Sequence, residues 1–232
     1  MHRFYLPADT FSGDYVGSSD KGLILQITKV LRAKEGDRFW LFDGLGYEYL
    51  GQIIELSNSR VRFLLIDKKR SAHEPVSYVI LYQSLLKSDK LEWIMQKAAE
   101  LGVKEIVPII SSRSIVRQIT SAKLERYQEI LKEAIEQCGG AIMPKLSLAI
   151  DFKEAVKIAA KADGLKFIAW EKETEQQLKA AEKIHIFIGP EGGFSEEEID
   201  LAKNNGIESV TLGKRILRAE TAAIASLAKL LL

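Results

Sequence analysis

The chain has 232 residues, 47% hydrophobic and 28% charged, which suits one large domain or two small ones. It contains no run of eighteen apolar residues to span a bilayer, and its start, MHRFYLP, lacks the apolar core of a secretory signal. The single cysteine, Cys138, excludes an internal disulfide and fits a reducing cytoplasm. His2, His73 and His185 lack the spacing of a zinc site, and a formal net charge of +1 means that any basic patch for a nucleic acid must be local.

Residues 1 to about 70 read as β-rich. Residues 2–6 form a short strand ended by Pro7, and residues 21–31 carry Leu23, Ile27, Val30 and Leu31 at helical spacing. After a charged turn around Gly36, residues 38–42, 47–56 and 60–66 read as strands separated by Asp-Gly and Ser-Asn-Ser turn chemistry. Several short strands with one helix predict a small barrel, better suited to binding than to housing an enzyme. Residues 67–75, DKKRSAHEP, lose periodicity and end in Pro, and they mark the expected boundary between domains at 1–70 and 76–232. Their three consecutive cations suit either phosphate contact or a solvated linker.

From residue 76 strands and helices alternate. Strands are expected at 78–86, 104–110, 146–150, 165–170 and 184–188. Helices are expected from Ser88 to 101, over 121–137, and from Asp151 as a cap to about 161. Repeated βα units imply a mainly parallel sheet with helices on both faces. His185 falls inside a buried strand pattern and reads as a core histidine.

The last forty-five or so residues carry two loops of unusual chemistry. Gly189-Pro190-Glu191-Gly192-Gly193-Phe194 follows an apolar strand, and Ser195 with Glu198 forms a capping box for a helix starting near Glu196. Glu196, Glu197 and Glu198 in that first turn suit the helix dipole but repel phosphate. The loop also lacks the Lys of a P-loop and the GxGxxG spacing. It therefore suits a neutral or cationic ligand, or else serves as a plain connection. The second loop runs from Leu212 and Gly213 through Lys214, Arg215, Ile216 and Leu217 to Arg218, just before an apolar helix that begins with Ala219 and Glu220. Both loops sit at the carboxyl ends of expected strands, where open α/β sheets bind ligands.

IGPEGGFSEEEI together with LGKRILRAETAAI resembles the signature of the RsmE-type 16S rRNA (uracil-N3) methyltransferases, a branch of the SPOUT superfamily. Similar pieces lie upstream: LLKSDKLEWIMQKAAELGVKEIVPI, the SRSIV that follows, EAIEQCGGAIMPKL, and in the barrel HRFYLP and VLRAKEGD…FDGLGYEYLGQI. The resemblance implies an α/β fold with an N-terminal PUA-like β-barrel for RNA docking and a C-terminal, trefoil-knotted SPOUT domain that binds S-adenosylmethionine. It also implies a cytoplasmic homodimer acting on 16S rRNA or the small ribosomal subunit, with no metal and no membrane partner. The cofactor would be held by Trp170, Glu171, Gly189, Pro190, Glu191, Gly192, Gly193, Leu212, Gly213, Arg215, Ile216, Leu217 and Arg218. Arg3, Arg32, Lys34 and Lys97 are the candidates for RNA contact. One departure stands out: Gly140 occupies a position where relatives commonly have Arg.

N3 of uracil carries a proton at neutral pH, so its methylation requires proton loss, and the charge that develops spreads onto O2 and O4. A positioned cation stabilises such charge. Arg218 is the first candidate, with Arg113 and Arg215 behind it. Glu220 or Glu191 is placed to accept the proton, although Glu220 at a helix start equally suits a structural role. The alternative to an enzyme is a non-catalytic RNA-binding factor in ribosome assembly. A phosphate-using nucleotide enzyme is disfavoured by the glutamate-rich helix start.

Overall fold

The computed structural model describes residues 2–232. The chain divides into two compact units: residues up to Glu74 together with Ile135–Met143, and Pro75–Ala134 together with Pro144–Leu232. No helix among the described residues is long and apolar enough to cross a membrane.

In the first unit, β1 (Arg3–Tyr5), β2 (Phe11–Ser12), β3 (Tyr15–Ser18), β4 (Arg38–Phe42), β5 (Tyr47–Leu56) and β6 (Val61–Arg70) form one sheet in the order β1-β4-β5-β6-β3-β2. Only the β1–β4 pairing is parallel. Alternate residues such as Phe4, Leu41, Ile53 and Phe63 point inward and are fully buried, the period-two pattern of a sheet with one dry face. Tyr49 lies over this core, where burial and Asp43, which accepts its hydroxyl hydrogen bond at 3.1 Å, push its pKa up to about 12.

Several sequence expectations change here. The helix expected over 21–31 is a short α1 (Lys21–Leu25), capped by the Asp20 side chain, that widens into a π turn over Gln26–Val30. β2 and β3, too short for a visible alternation, were not expected. β6 runs on through Lys68, Lys69 and Arg70, because Tyr47 and Glu48 of β5 continue the ladder opposite Arg70 and Lys69. The three cations are therefore strand residues and not part of a linker. Arg3, expected to face RNA, is turned inward: it pairs with the buried carboxylate of Glu48 and donates to the Gly139 and Gly140 carbonyls at 3.1 and 3.0 Å.

The second unit holds a parallel sheet of β7 (Tyr78–Ser84), β8 (Glu105–Ile110), β9 (Lys145–Leu146), β10 (Ile150–Asp151), β11 (Leu165–Ala169), β12 (Lys183–Ile188) and β13 (Glu208–Val210). The order is β10-β8-β7-β12-β11-β13, with β9 also on β8. The strand expected over 146–150 is thus two short strands on one neighbour. The helices are α2 (Ser88–Glu100), α3 (Ser121–Cys138), α4 (Phe152–Lys161), α5 (Glu196–Asn204) and α6 (Ala219–Leu231). The N-cap of α2 is Lys87, so Ser88 is the first helical residue and not the expected cap. Asp151 caps α4 as expected, accepting from Lys153 N–H at 2.8 Å.

β7 and β12 are central and almost wholly buried, as strands covered on both faces are. Tyr82 stacks on Phe187 with ring centroids 4.2 Å apart, beneath Phe152, Ile199 and Ala202 of α4 and α5. His185 is a core residue, as its strand pattern suggests. Its Nε2 lies 3.1 Å from the Asp163 carbonyl, an acceptor, so that nitrogen carries the hydrogen; burial depresses the imidazole's pKa and favours the neutral ring.

Gly164, just before β11, has φ +99, and a Cβ there would lie 2.4 Å from the Lys183 carbonyl oxygen. Backbone cannot yield as a side-chain tip can. Gly164→Ala is expected to cost about 2 kcal/mol, read as an earlier denaturation midpoint for the sheet domain. An unchanged midpoint would show that this edge relaxes freely.

Candidate active site

The carboxyl edge of the sheet carries three connected loops. After β12, Gly189-Pro190 ends the ladder and Gly193 turns back with φ +67, its N–H donating to the Pro190 carbonyl at 2.9 Å. A Cβ on Gly193 would lie 3.1 Å from a Glu171 carboxylate oxygen, so the loop backbone is pressed against that side chain. Ser195 then caps α5: Glu198 N–H donates to Ser195 Oγ at 3.2 Å, and Ser195 N–H donates to Glu198 Oε2 at 2.9 Å. This is the capping box expected from the sequence.

Glu198 does more than cap. Its side chain also accepts from the Ser112 N–H at 2.7 Å and the Ser112 hydroxyl at 2.9 Å. The turn after β8 is thereby tied to the glycine loop after β12. Arg113 of that turn reinforces the tie, its Nη1 donating to the Gly192 and Phe194 carbonyls at 2.8 and 3.3 Å. Arg113 is thus a brace on the loop rather than a free cation.

The connection after β11 is pinned from the other side. Glu173 accepts the Ser209 hydroxyl and the N–H groups of Thr174, Glu175 and Gln176. Those donors, the Ser209 hydroxyl first, hold its carboxyl pKa down to about 2. Trp170 N–H donates to the Val210 carbonyl at 3.0 Å, and Thr211 N–H to Gln176 at 2.8 Å. Trp170 and Glu171 are thereby fixed beside the loop that follows β13. In that loop Gly213 N–H is held by Thr211 Oγ1 at 3.2 Å, and Arg218 is the N-cap of α6.

These loops enclose a cavity of about 270 Å³ lined by Trp170, Glu171, Gly189, Pro190, Glu191, Gly192, Gly193, Leu212, Gly213, Arg215, Ile216 and Leu217. Gly192 and Gly213, far apart in the chain, therefore face one space. Lys214, within the second loop, also lines it, and Ala169, Ile188, Thr211, Ala219 and Ala222 complete the lining without a signal of their own in the sequence. Thr211 is legible as the last residue before that loop. The small Ala219 and Ala222 became visible only when α6 was placed.

Arg218 does not line the cavity; its side chain is exposed at the start of α6. Glu220, in the first turn of α6, is mostly buried, and its Oε2 has no hydrogen-bond partner among the described residues. Lys90 of α2 approaches both glutamates of the motifs, at 3.2 Å from Glu191 and 3.8 Å from Glu220. Lys97 pairs with Glu100 at 2.7 Å, while Arg32 and Lys34 are exposed. Among the described residues no cluster of His, Cys, Asp and Glu could hold a metal ion.

Fold and site together define an RNA-modifying protein with a barrel and a methyltransferase domain: residues 72–231 match the RNA methyltransferase domain family, and residues 27–66 the RNA methyltransferase PUA domain family. Ribosomal RNA small subunit methyltransferase E of Rickettsia conorii is 32% identical over 98% of this chain and 94% of its own. That of Mesomycoplasma hyopneumoniae is 36% identical over 78% of this chain and 80% of its own. A crystal structure of the Neisseria gonorrhoeae enzyme bound to S-adenosyl methionine superposes with a TM-score of 0.88 at 33% identity, covering 99% of this chain and 96% of that one. The chain belongs to the ribosomal RNA small subunit methyltransferase E family.

Two measurements test the scaffold. Glu198→Ala strands three donors, at a cost of about 2–3 kcal/mol, and should loosen the glycine loop, whereas Glu196→Ala should leave stability nearly unchanged. Equal effects from the two variants would remove Glu198 from its linking role. Glu173 has a depressed carboxyl, so its stabilisation is present above its ordinary value of 4.5 and is lost as pH falls through about 2. The melting-temperature gap between wild type and Glu173→Gln should be full at neutral pH and close across that acid range. A gap independent of pH would refute the assignment.

Proposed function

We propose that this protein methylates N3 of a uridine in 16S rRNA of the small ribosomal subunit, with S-adenosylmethionine as the methyl donor. The observation that carries this reading is the convergence of the 189–193 and 212–217 loops on one cavity at the carboxyl edge of the sheet. The residues fit such a ligand. Glu171 and Glu191 suit its cationic centre, the glycine backbones allow close approach, and Ile188, Leu212 and Leu217 supply apolar walls for an adenine. When bound, the cofactor supplies a methyl group activated on a sulfonium.

Glu220 then takes the N3 proton. Its Oε2 is the buried carboxylate oxygen of the second motif with no donor bonded to it. Arg218, exposed two residues before it, faces the charge that spreads onto O2 and O4 as the N3–H bond gives way to N3–CH3. Lys90 holds Glu191 and Glu220 together, and Arg113 keeps the glycine loop in the shape that admits the donor. The PUA-like domain docks RNA, with Arg32 and Lys34 among its exposed cations. The trefoil knot, a homodimer and a cytoplasmic setting belong to the same reading. Ile216, 83% exposed at the cavity rim, supports burial against a second copy.

Purified protein incubated with S-adenosylmethionine and small subunits lacking the modification should add one methyl group to a uridine, located by mass mapping of 16S rRNA fragments. Arg218→Ala should lower kcat by about 10²–10³-fold, the scale of losing one charge-stabilising donor, with donor affinity nearly unchanged. Methylation at carbon or at a ribose hydroxyl would overturn the N3 assignment. No heat on titrating the intact protein with S-adenosylmethionine would overturn the enzyme reading itself.

A further inference from the structure

The extension of β6 beyond the expected boundary brings basic and aromatic side chains onto one strip of the barrel. Tyr47 pairs with Arg70 and Tyr49 with Lys68 across the β5–β6 ladder, so all four side chains share one face of the sheet. The Lys68 ammonium lies 4.4 Å from the Tyr47 ring centre and 5.3 Å from that of Tyr49. Tyr47 is 38% exposed, and Lys68 and Arg70 are exposed. Neither cation is paired with a carboxylate among the described residues. Lys69 differs: it points the other way, pairs with Glu48 at 3.3 Å and packs over Trp40.

Beside this strip lies a cleft of about 380 Å³, at the lower end of small-ligand pockets. Phe11 and Tyr49, with ring centres 4.6 Å apart, form an aromatic wall, and Ile66 adds apolar surface. The charged residues of the cleft are Asp14, Asp67 and Lys68, while the Tyr49 hydroxyl is already bonded to Asp43. Two carboxylates in the lining disfavour a phosphate in the cleft itself, while Lys68 in the lining and Arg70 on the same face of β6 attract one.

We infer that this cleft and strip form a site for one unpaired RNA nucleotide. Its base enters the cleft against Phe11 and Tyr49, an exocyclic amino group donates to Asp14 or Asp67, and its backbone phosphate rests on Lys68 and Arg70. Adenine, cytosine and guanine carry such an amino group and uracil does not, so the site discriminates against uridine. It is therefore distinct in chemistry from the position that receives the target base. The exposed Tyr47 ring offers a second stacking surface for the neighbouring nucleotide, as aromatic platforms do for single strands. The inference rests on the RNA-modifying function proposed above and assigns to the barrel a single-stranded contact with a base preference.

The test uses the full chain with small subunits and with short oligoribonucleotides. The double variant Lys68→Ala/Arg70→Ala should raise the KM for subunits at least fivefold with S-adenosylmethionine affinity unchanged. It should also flatten the slope of log affinity against log salt by about 1.4, the value for two phosphate contacts on a single strand. Tyr47→Ala should raise KM without changing that slope. Wild type should bind oligocytidine or oligoadenosine more tightly than oligouridine, and Asp14→Asn/Asp67→Asn should erase the difference. Unchanged KM and salt slope in an otherwise active double variant would overturn this inference while leaving the methyltransferase reading intact. Weakened binding to assembled subunits but not to naked rRNA would assign the strip to a ribosomal protein and equally overturn it. A wild-type protein with no methyl transfer would instead strike the proposed function.

Discussion

Glu198 is one carboxylate that accepts from two separate segments of chain. It closes the capping box of α5 through Ser195 and simultaneously takes both donors of Ser112, from the turn after β8. A glycine-rich loop has many backbone conformations to lose on ordering. Here that freedom is removed by bonds outside the loop: the Glu198 tie at its exit, the Arg113 guanidinium on its carbonyls, and the Glu171 carboxylate beneath Gly193. The cavity exists because the loop is held from three sides while its own residues stay small.

This division of labour explains why charges near the site are so unevenly used. Arg113, Lys90 and Glu198 are engaged with protein groups and set geometry. Arg215 lines the cavity and Arg218 lies outside it, and both are exposed. Central, almost fully buried strands permit such an arrangement, since β7 and β12 remain anchored whatever the edge loops do.

The barrel follows a similar economy. A net charge of +1 conceals local asymmetry. Arg3 and Lys69 converge on the buried Glu48 and stabilise the fold, while Lys68 and Arg70, one strand position away on either side of Lys69, project from the opposite face of β6. Alternation along a strand decides which cation is structural and which is available.

Within the sequence, the elements that identified themselves were those whose signals are local. The Ser195–Glu198 capping box, the Asp151 cap, the apolar runs of β7 and β12, and the glycine loops all depend on residues a few positions apart, and each appears in the structure near its expected place. What tertiary structure alone decided involves partners distant in sequence. The extension of β6 through Lys68–Arg70 depends on Tyr47 and Glu48 continuing the ladder. The inward turn of Arg3 depends on Glu48 and on carbonyls more than 130 positions away. The role of Arg113 depends on Gly192, 79 positions on. Side-chain chemistry announces what a residue can bond, but which bond it makes is set by what the fold brings within about 3 Å of it.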